Sequence, residues 1–319
     1  MSRFITALVL SATCAAGAGA QTLREQCSTA SRTEVRTFCE QVADGAVIMQ
    51  PRLGIALSGG NPVPGTASTL GMRIGSLPRV SVAVRVTAAQ VELPPVERVD
   101  VTRAVTFPLG SLAADVSIGL FSGFNVLPTV GGLASVDLLG SAGMMPLPRG
   151  EGFDDSAPLT WALGARVGIL RESFTAPGIS LSGMYRRLDD VAYGSETLSD
   201  RDAFLRVSNY DVASFRATVG KRLLGFGVTA GAGYDRYGAD IAATIRDPMV
   251  LEPNRLLQLS ERGVSSSRTS VFGNLSFTLL ILNLAAEAGW QQGGDPMEGA
   301  TDMLEKGALF GGIAIRIAI

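Results

Sequence analysis

Histidine is absent from this 319-residue chain, and lysine occurs only at Lys221 and Lys306. Histidine is the commonest general base in hydrolytic sites, and a Ser/His/Asp triad cannot be built without it. Zinc sites need clustered Cys or His ligands, and the sequence has no such cluster. We therefore expect no enzymatic activity, no catalytic residue, no metal site and no cofactor.

Long apolar runs are also missing. Hydrophobic residues make up 46% of the chain, yet no run of about 18 apolar residues follows the N-terminal segment, and a membrane-spanning helix needs about 20. Apolar residues spread this thinly, among 38 glycines, are typical of a membrane β-barrel. A soluble all-β protein is the alternative. The net charge of -2 gives no reason to expect a nucleic-acid partner.

The first residues have the pattern of a secretory signal. A short basic start is followed by the apolar run Phe4–Leu10 and by the small residues Ala18–Ala20. This order is typical of a cleaved signal peptide. We predict a signal peptide over residues 1–20, cut between Ala20 and Gln21.

Two cysteines remain after that cut. Cys27 and Cys39 are 12 residues apart, which is about 18 Å on one helix, whereas a disulfide needs Cα atoms within about 7 Å. A disulfide in an oxidising compartment therefore requires residues 21–45 to fold back. Ser31–Glu34 fits a capping box that opens a second helix, and Gly45 fits its end. We predict a short helical segment, periplasmic or plug-like; two reduced cysteines on a loose segment are the alternative.

From residue 46 onward, apolar and small or polar residues alternate with the period of a β-strand. The clearest case is Val80–Thr87, where four valines share one face. The pattern predicts an all-β fold, a transmembrane antiparallel up-and-down β-barrel of about 12 strands over residues 46–319. The twelve segments are Val47–Ser58, Thr69–Gly75, Val80–Thr87, Leu112–Leu120, Val136–Leu138, Trp161–Ile169, Ile179–Arg186, Ser214–Val219, Leu224–Gly233, Val271–Leu279, Leu282–Trp290 and Gly312–Ile319.

The connections between these segments alternate in length. Short connections such as Lys221–Leu223 alternate with long ones such as Asp247–Gly263. Outer-membrane barrels have short periplasmic turns and long external loops, so we expect the cell outer membrane as the location. Ala239–Ile245 is expected to extend its strand beyond the membrane. The turn at Leu280–Leu282 is unusually apolar.

Charged residues on the lumen side of the alternation are mostly basic. A ring of arginines favours anions, which predicts a porin-like channel for small, anionic solutes. Arg–carboxylate networks that satisfy buried charge are the alternative, and they predict a structural or surface-interaction barrel with a filled lumen. A third hypothesis is an apolar-solute transporter gated by the N-terminal segment. The predicted pore-lining residues are Arg52, Arg73, Arg85, Asp115, Asp137, Arg166, Arg186, Arg216, Glu287 and Arg316.

The last segment, Leu309–Ile319, resembles the C-terminal strand of bacterial outer-membrane β-barrel proteins. There, alternating apolar residues at the chain end serve as the assembly signal, which implies that role for Ile315, Ile317 and Ile319. The family prefers an aromatic residue at the position of Ile319. The resemblance implies outer-membrane lipid and the barrel-assembly machinery as partners, with a small-molecule solute possible and no nucleic acid. The N-terminal segment resembles the lumen plug of long-chain fatty-acid transporters, whose barrels have more strands.

Overall fold

The fold is known from a computed structural model that describes most of the chain. The described residues are 18–30, 32–72, 78–94, 98–99, 105–125, 131–148, 152–153, 156–198, 201–247, 256–294 and 306–318. Most of the predicted signal peptide, Arg73 and Ile319 lie outside these residues.

Strands account for most of the described chain, and ten of them form a closed antiparallel barrel. Consecutive barrel strands pair with one another, β11 pairs with β1, and β5 pairs with β7 to complete the ring. The short strand β6 lies outside the ring and pairs with β7. The strands are β1 Val80–Leu93, β2 Val105–Phe121, β3 Ser135–Met144, β4 Leu159–Leu170, β5 Gly178–Leu188, β6 Val191–Gly194, β7 Ala203–Leu223, β8 Phe226–Arg246, β9 Leu256–Leu279, β10 Leu282–Gln291 and β11 Ala308–Ala318.

Two helices precede the barrel. Helix α1 spans Ala18–Gln26, a 3-10 turn follows at Cys27–Thr29, and α2 spans Thr33–Ser58. The Cys27–Cys39 disulfide is confirmed and joins the turn to α2, so the segment folds back as predicted. The described residues contain no helix long and apolar enough to cross a membrane.

The second helix begins within one residue of its predicted start, whereas its predicted end is wrong. Arg32 is the N-cap of α2, one residue after the predicted cap Ser31, and its side chain makes no capping hydrogen bond; Ser31 lies outside the described residues. Gly45 does not end the helix. It lies in the interior of α2, where an added Cβ would be 2.8 Å from the Pro94 side chain, so the glycine permits close packing instead.

Two of the twelve predicted strands are also wrong. Residues 47–58 form the C-terminal half of α2, and every one of them is buried. A helix enclosed on all sides has no polar face, so its sequence lacks the helical period that would identify it. Of the second segment, Leu70 and Gly71 are not in a strand, and Met72 makes only an isolated bridge to Pro78. The remaining ten predicted strands correspond to the ten barrel strands.

The alternation of side chains across the barrel wall is as predicted. On β1, Val82, Val84 and Val86 are exposed on the outer surface, whereas Ala83 and Arg85 are buried inside. Outward-facing apolar residues follow one another around the ring and form a band suited to lipid. The closed ring leaves no unpaired sheet edge within that band, as a bilayer requires. The chain is a β-barrel of the bacterial outer-membrane type.

The two ends of the barrel differ. At one end β7 and β8 are joined by a two-residue turn, as are β9 and β10; we call this the turn end. At the other end, which we call the outer end, β7, β8 and β9 continue for 21, 21 and 24 residues in total. Strands that cross a membrane need only about 9–11 residues. These three strands therefore project beyond the membrane, which confirms the extension predicted for Ala239–Ile245.

Candidate functional site: a helix inside the barrel

Helix α2 occupies the barrel lumen. It contacts β1, β2, β7, β8, β9 and β11, and all of its residues from Val42 to Ser58 are buried. A helix of 26 residues is about 39 Å long, enough to pass through the outer extension and into the membrane-level lumen. After Ser58 the chain continues across the lumen, through residues 59–72, towards the turn end.

The predicted pore-lining residues fall into three groups. Arg73 lies outside the described residues. Arg52 was assigned to a strand but lies on α2, and its Nη2 donates a hydrogen bond to the Lys306 carbonyl at 2.8 Å. The other eight lie on barrel strands and point inward: Arg85, Asp115, Asp137, Arg166, Arg186, Arg216, Glu287 and Arg316.

Three of the inward arginines form buried ion pairs within the wall. Arg166 and Asp137 are 2.7 Å apart, Arg85 and Asp115 are 3.2 Å apart, and Arg216 pairs with Asp235 at 2.8 Å. All six side chains are nearly inaccessible, so each charge depends on its partner rather than on water.

Sequence reasoning missed Asp235. Its position continues the inward set of β8, Gly231 and Gly233, by one further step of two residues. Extending the alternation past Gly233 identifies Asp235. Its negative charge reduces the apparent excess of positive charge in the lumen by one.

The wall also binds the end of α2 directly. The last carbonyls of a helix have no partner within the helix. Here the hydroxyls of Thr87 and Ser111 donate hydrogen bonds to the Ala56 carbonyl. Arg216 Nη2 donates to the Ser58 carbonyl at 2.8 Å. A cation at this position also complements the negative end of the helix dipole.

The residues that follow α2 are bound in the same way. Arg216 Nε donates to the Gly60 carbonyl at 3.2 Å, and Arg85 Nη1 donates to the Asn61 carbonyl at 3.3 Å. The Asn61 N–H donates to Glu287 Oε2 at 2.8 Å. Gly60 has φ +79°, and a Cβ there would lie 1.2 Å from the Glu287 carboxylate, so only glycine fits this contact.

A further contact holds this segment near the turn end. The Leu70 N–H donates to both carboxylate oxygens of Asp137, at 3.0 and 3.1 Å, while Asp137 remains paired with Arg166. Four residues predicted to line a pore, Arg85, Asp137, Arg216 and Glu287, therefore bind backbone atoms of residues 58–70.

Little space is left around these contacts. One interior cavity, lined by Asn61, Arg85 and Glu287, has a volume of about 10 Å³. A second, beside Arg52 and Gln291, is equally small. A volume of roughly 10–15 Å³ accommodates about one water molecule.

The outer extension is lined differently. Its inward residues on β7 and β8 are apolar, including Leu205, Val207, Ile241 and Ile245, all almost fully buried. They form one cluster with Leu23, Phe38 and Val42 of the helices. The disulfide lies in the same cluster, so α1 and the start of α2 are packed at the outer end of the barrel.

No protein-family model matches the chain, and no curated protein sequence matches it either. Solved structures with a similar fold include the translocator domain of the autotransporter NalP from Neisseria meningitidis, with 13% identity, a TM-score of 0.43, and coverage of 87% of this chain and 97% of that one. The outer-membrane protease OmpT from Escherichia coli has 12% identity, a TM-score of 0.36, and coverage of 79% and 99%. The Pseudomonas putida toluene transporter TodX has 10% identity, a TM-score of 0.33, and coverage of 81% and 96%.

Proposed function

We propose that this protein is an outer-membrane barrel with a filled lumen, which presents its disulfide-closed N-terminal helices at the cell surface as an interaction element. The observation that carries the proposal is that wall side chains bind the last carbonyls of α2 and the loop after it. Arg216 alone donates to two of them while it pairs with Asp235. A wall evolved only to pass solutes has no need to bind the backbone of a helix.

The orientation of the barrel supports surface presentation. Short turns of outer-membrane barrels face the periplasm, which places the extended ends of β7–β9 outside the cell. Helix α1 and the first turns of α2 pack against that extension. The side chains of Glu34, Arg36 and Thr37 on α2 remain exposed, and they offer a polar face to a partner.

An epitope inserted between Ala30 and Arg32 tests this arrangement. We expect an antibody to label that epitope on intact cells, because the site lies at the outer end. An epitope inserted at Thr175, on an exposed turn at the other end, is the matched control and should be labelled only after the outer membrane is opened. The proposal fails if the Ala30 epitope requires opened cells while the barrel remains folded, as judged by heat-dependent gel mobility.

The anion channel predicted from the sequence is the second candidate. Arg85 and Arg216 would line it, but both are engaged by residues 58–61. Conduction would therefore require α2 to leave the lumen. We also propose, from the absence of histidine, that the protein has no catalytic activity. This proposal holds for a filled barrel and for an anion channel alike.

A further inference from the structure

The turn end of the barrel has an unusual ring of exposed apolar side chains. Among the described residues, each of the four connections between successive barrel strands at this end carries at least one large apolar residue that is mostly exposed, and the β9–β10 turn carries Ile281 (64%) as a second one. We call these four residues the turn rim: Phe124 (62% exposed), Phe174 (94%), Leu224 (101%) and Leu280 (92%).

The conformation and the exposure of Leu224 and Leu280 both cost free energy in water. Leu224 has φ +50° and Leu280 has φ +56°, in the left-handed region where glycine or asparagine is normal for tight hairpin turns. A leucine in that conformation is strained, and its fully exposed side chain adds the cost of apolar hydration. Such a combination persists only where the surroundings compensate for it.

We propose that the turn rim is embedded in the periplasmic leaflet of the outer membrane, in contact with phospholipid acyl chains just below the head groups. The rim is continuous with the lipid-facing band, because Leu223, Phe226 and Leu279 are exposed directly beside the turn tips. The rim also occurs on connections all around the barrel. A docked protein covers one side of a barrel, whereas lipid surrounds it.

The polar groups beside the rim are already satisfied by the protein. The Lys221 amine donates to backbone carbonyls of Ser173, Phe174 and Ala176 in the neighbouring turn. Arg222 Nε pairs with Glu172 Oε2 at 3.2 Å. Because the ammonium and the guanidinium already have partners within the protein, they lose less on leaving bulk water than free charges would.

The length of the apolar band agrees with this position. On β9 the outward apolar residues run from Val271 to Leu279, and the outward residue before them is Thr269. Nine residues at about 3.3 Å rise and roughly 40° tilt span about 20 Å along the membrane normal, less than the usual band of about 25 Å. Adding Leu280 at the turn extends the band by about 2.5 Å, roughly half of the difference.

Tryptophan fluorescence in lipid vesicles tests the proposal. Trp161 and Trp290 are replaced by Phe, and a single Trp is placed at Leu224, Leu280 or Phe174 in the full mature chain. Phe174→Trp is the variant least prone to misfold, since its position needs no positive φ. The vesicles contain phosphatidylethanolamine and phosphatidylglycerol, with or without bromine on the acyl chains near the carbonyl. Asp190→Trp, at the exposed outer end, is the matched control.

We expect blue-shifted emission from the three rim tryptophans and quenching by brominated lipid to about half or less of the initial intensity. The Asp190→Trp control should show neither effect. Water-like emission without quenching at all three rim positions, in protein folded by heat-dependent gel mobility, would overturn the proposal. A blue shift that increases with the protein-to-lipid ratio, without quenching by brominated lipid, would also overturn the proposal, because a second copy of the protein would then cover the rim.

Discussion

The two halves of α2 are held by different forces. The N-terminal half lies in the outer extension, where Phe38 and Val42 join an apolar cluster with Leu205 and Ile241. The C-terminal half also contributes apolar residues such as Leu53 to this cluster, but it lies at membrane level, where wall side chains bind its carbonyls through hydrogen bonds in addition. Apolar packing depends on shape and volume, whereas the polar contacts depend on each charge keeping its partner. The comparison teaches that burial fixes both halves of this plug and that specific polar pairs fix its lower end in addition.

The largest expected effect is at the lower end. Arg216→Ala leaves the buried Asp235 carboxylate unpaired and removes the donors to Ser58 and Gly60, so we expect it to lower the free energy of unfolding by about 3–5 kcal/mol. Urea unfolding of the protein in lipid vesicles measures this. Arg206→Ala on the same strand is the control, because Arg206 is exposed and its pair with Glu196 should contribute less than about 1 kcal/mol. Equal losses from the two variants would show that Arg216 is not a structural contact.

The next effect is at the upper end. Replacing Cys27 and Cys39 together by Ser removes the disulfide and should destabilise the helical cap by about 2–4 kcal/mol. Because the ring does not contain this bond, the barrel itself should remain folded. Limited proteolysis should then cut near Arg32 while heat-dependent gel mobility is unchanged. Loss of the barrel together with the cap would contradict the separation of the two halves.

A smaller effect is expected near the C-terminal end of α2. At Gly54 an added Cβ would lie 2.0 Å from the Tyr237 ring and 2.6 Å from the Tyr210 hydroxyl. Gly54→Ala should therefore destabilise the protein by about 1–3 kcal/mol, despite the better helix propensity of alanine. Gly273→Ala is the control, since nothing lies within 4 Å of its added Cβ. A neutral Gly54→Ala, measured by urea unfolding, would mean that α2 is not packed against these tyrosines.

The smallest effect concerns pH at the outer end. Hydrogen bonds from the Asn209 side chain and the Gly263 N–H lower the pKa of Asp240. A carboxyl with a lowered pKa stabilises the fold at pH values above its unfolded pKa of about 4. This contribution is lost as the pH falls through the pKa of the folded state. The hydrogen-exchange protection factor of the Gly263 amide should therefore decrease below about pH 4. Asp240→Asn should make this protection independent of pH, and an unchanged pH dependence in that variant would assign it to another group.

The sequence predicted the wall of the barrel better than its contents. Ten strands follow from period-two alternation because one face meets lipid and the other meets the lumen. Residues 47–58 gave the same alternation by chance, because a helix enclosed by the wall needs no polar face. Pro51 lies in the interior of α2, where proline supplies no N–H to the helix.

The backbone contacts of the lumen charges could not be predicted for the same reason, although their pairing with carboxylates was the stated alternative to a pore. Alternation identified Arg85, Asp137 and Arg216 as inward-facing, but what they bind depends on where α2 lies. Once the helix was taken as a strand, no segment remained in the lumen for these side chains to contact. The disulfide was predictable from two cysteines in an exported chain, and the fold-back followed because Cys27 and Cys39 are too far apart to pair on a single helix.

Conductance of the refolded mature protein in a planar bilayer tests the central claim most directly, that α2 fills the lumen. We predict that the intact protein inserts without steady open-channel steps, and that a variant lacking residues 21–58 conducts if it folds. Stable open steps with anion selectivity from the intact protein would contradict the account. They would return Arg85, Arg166 and Arg216 to the role of pore-lining residues.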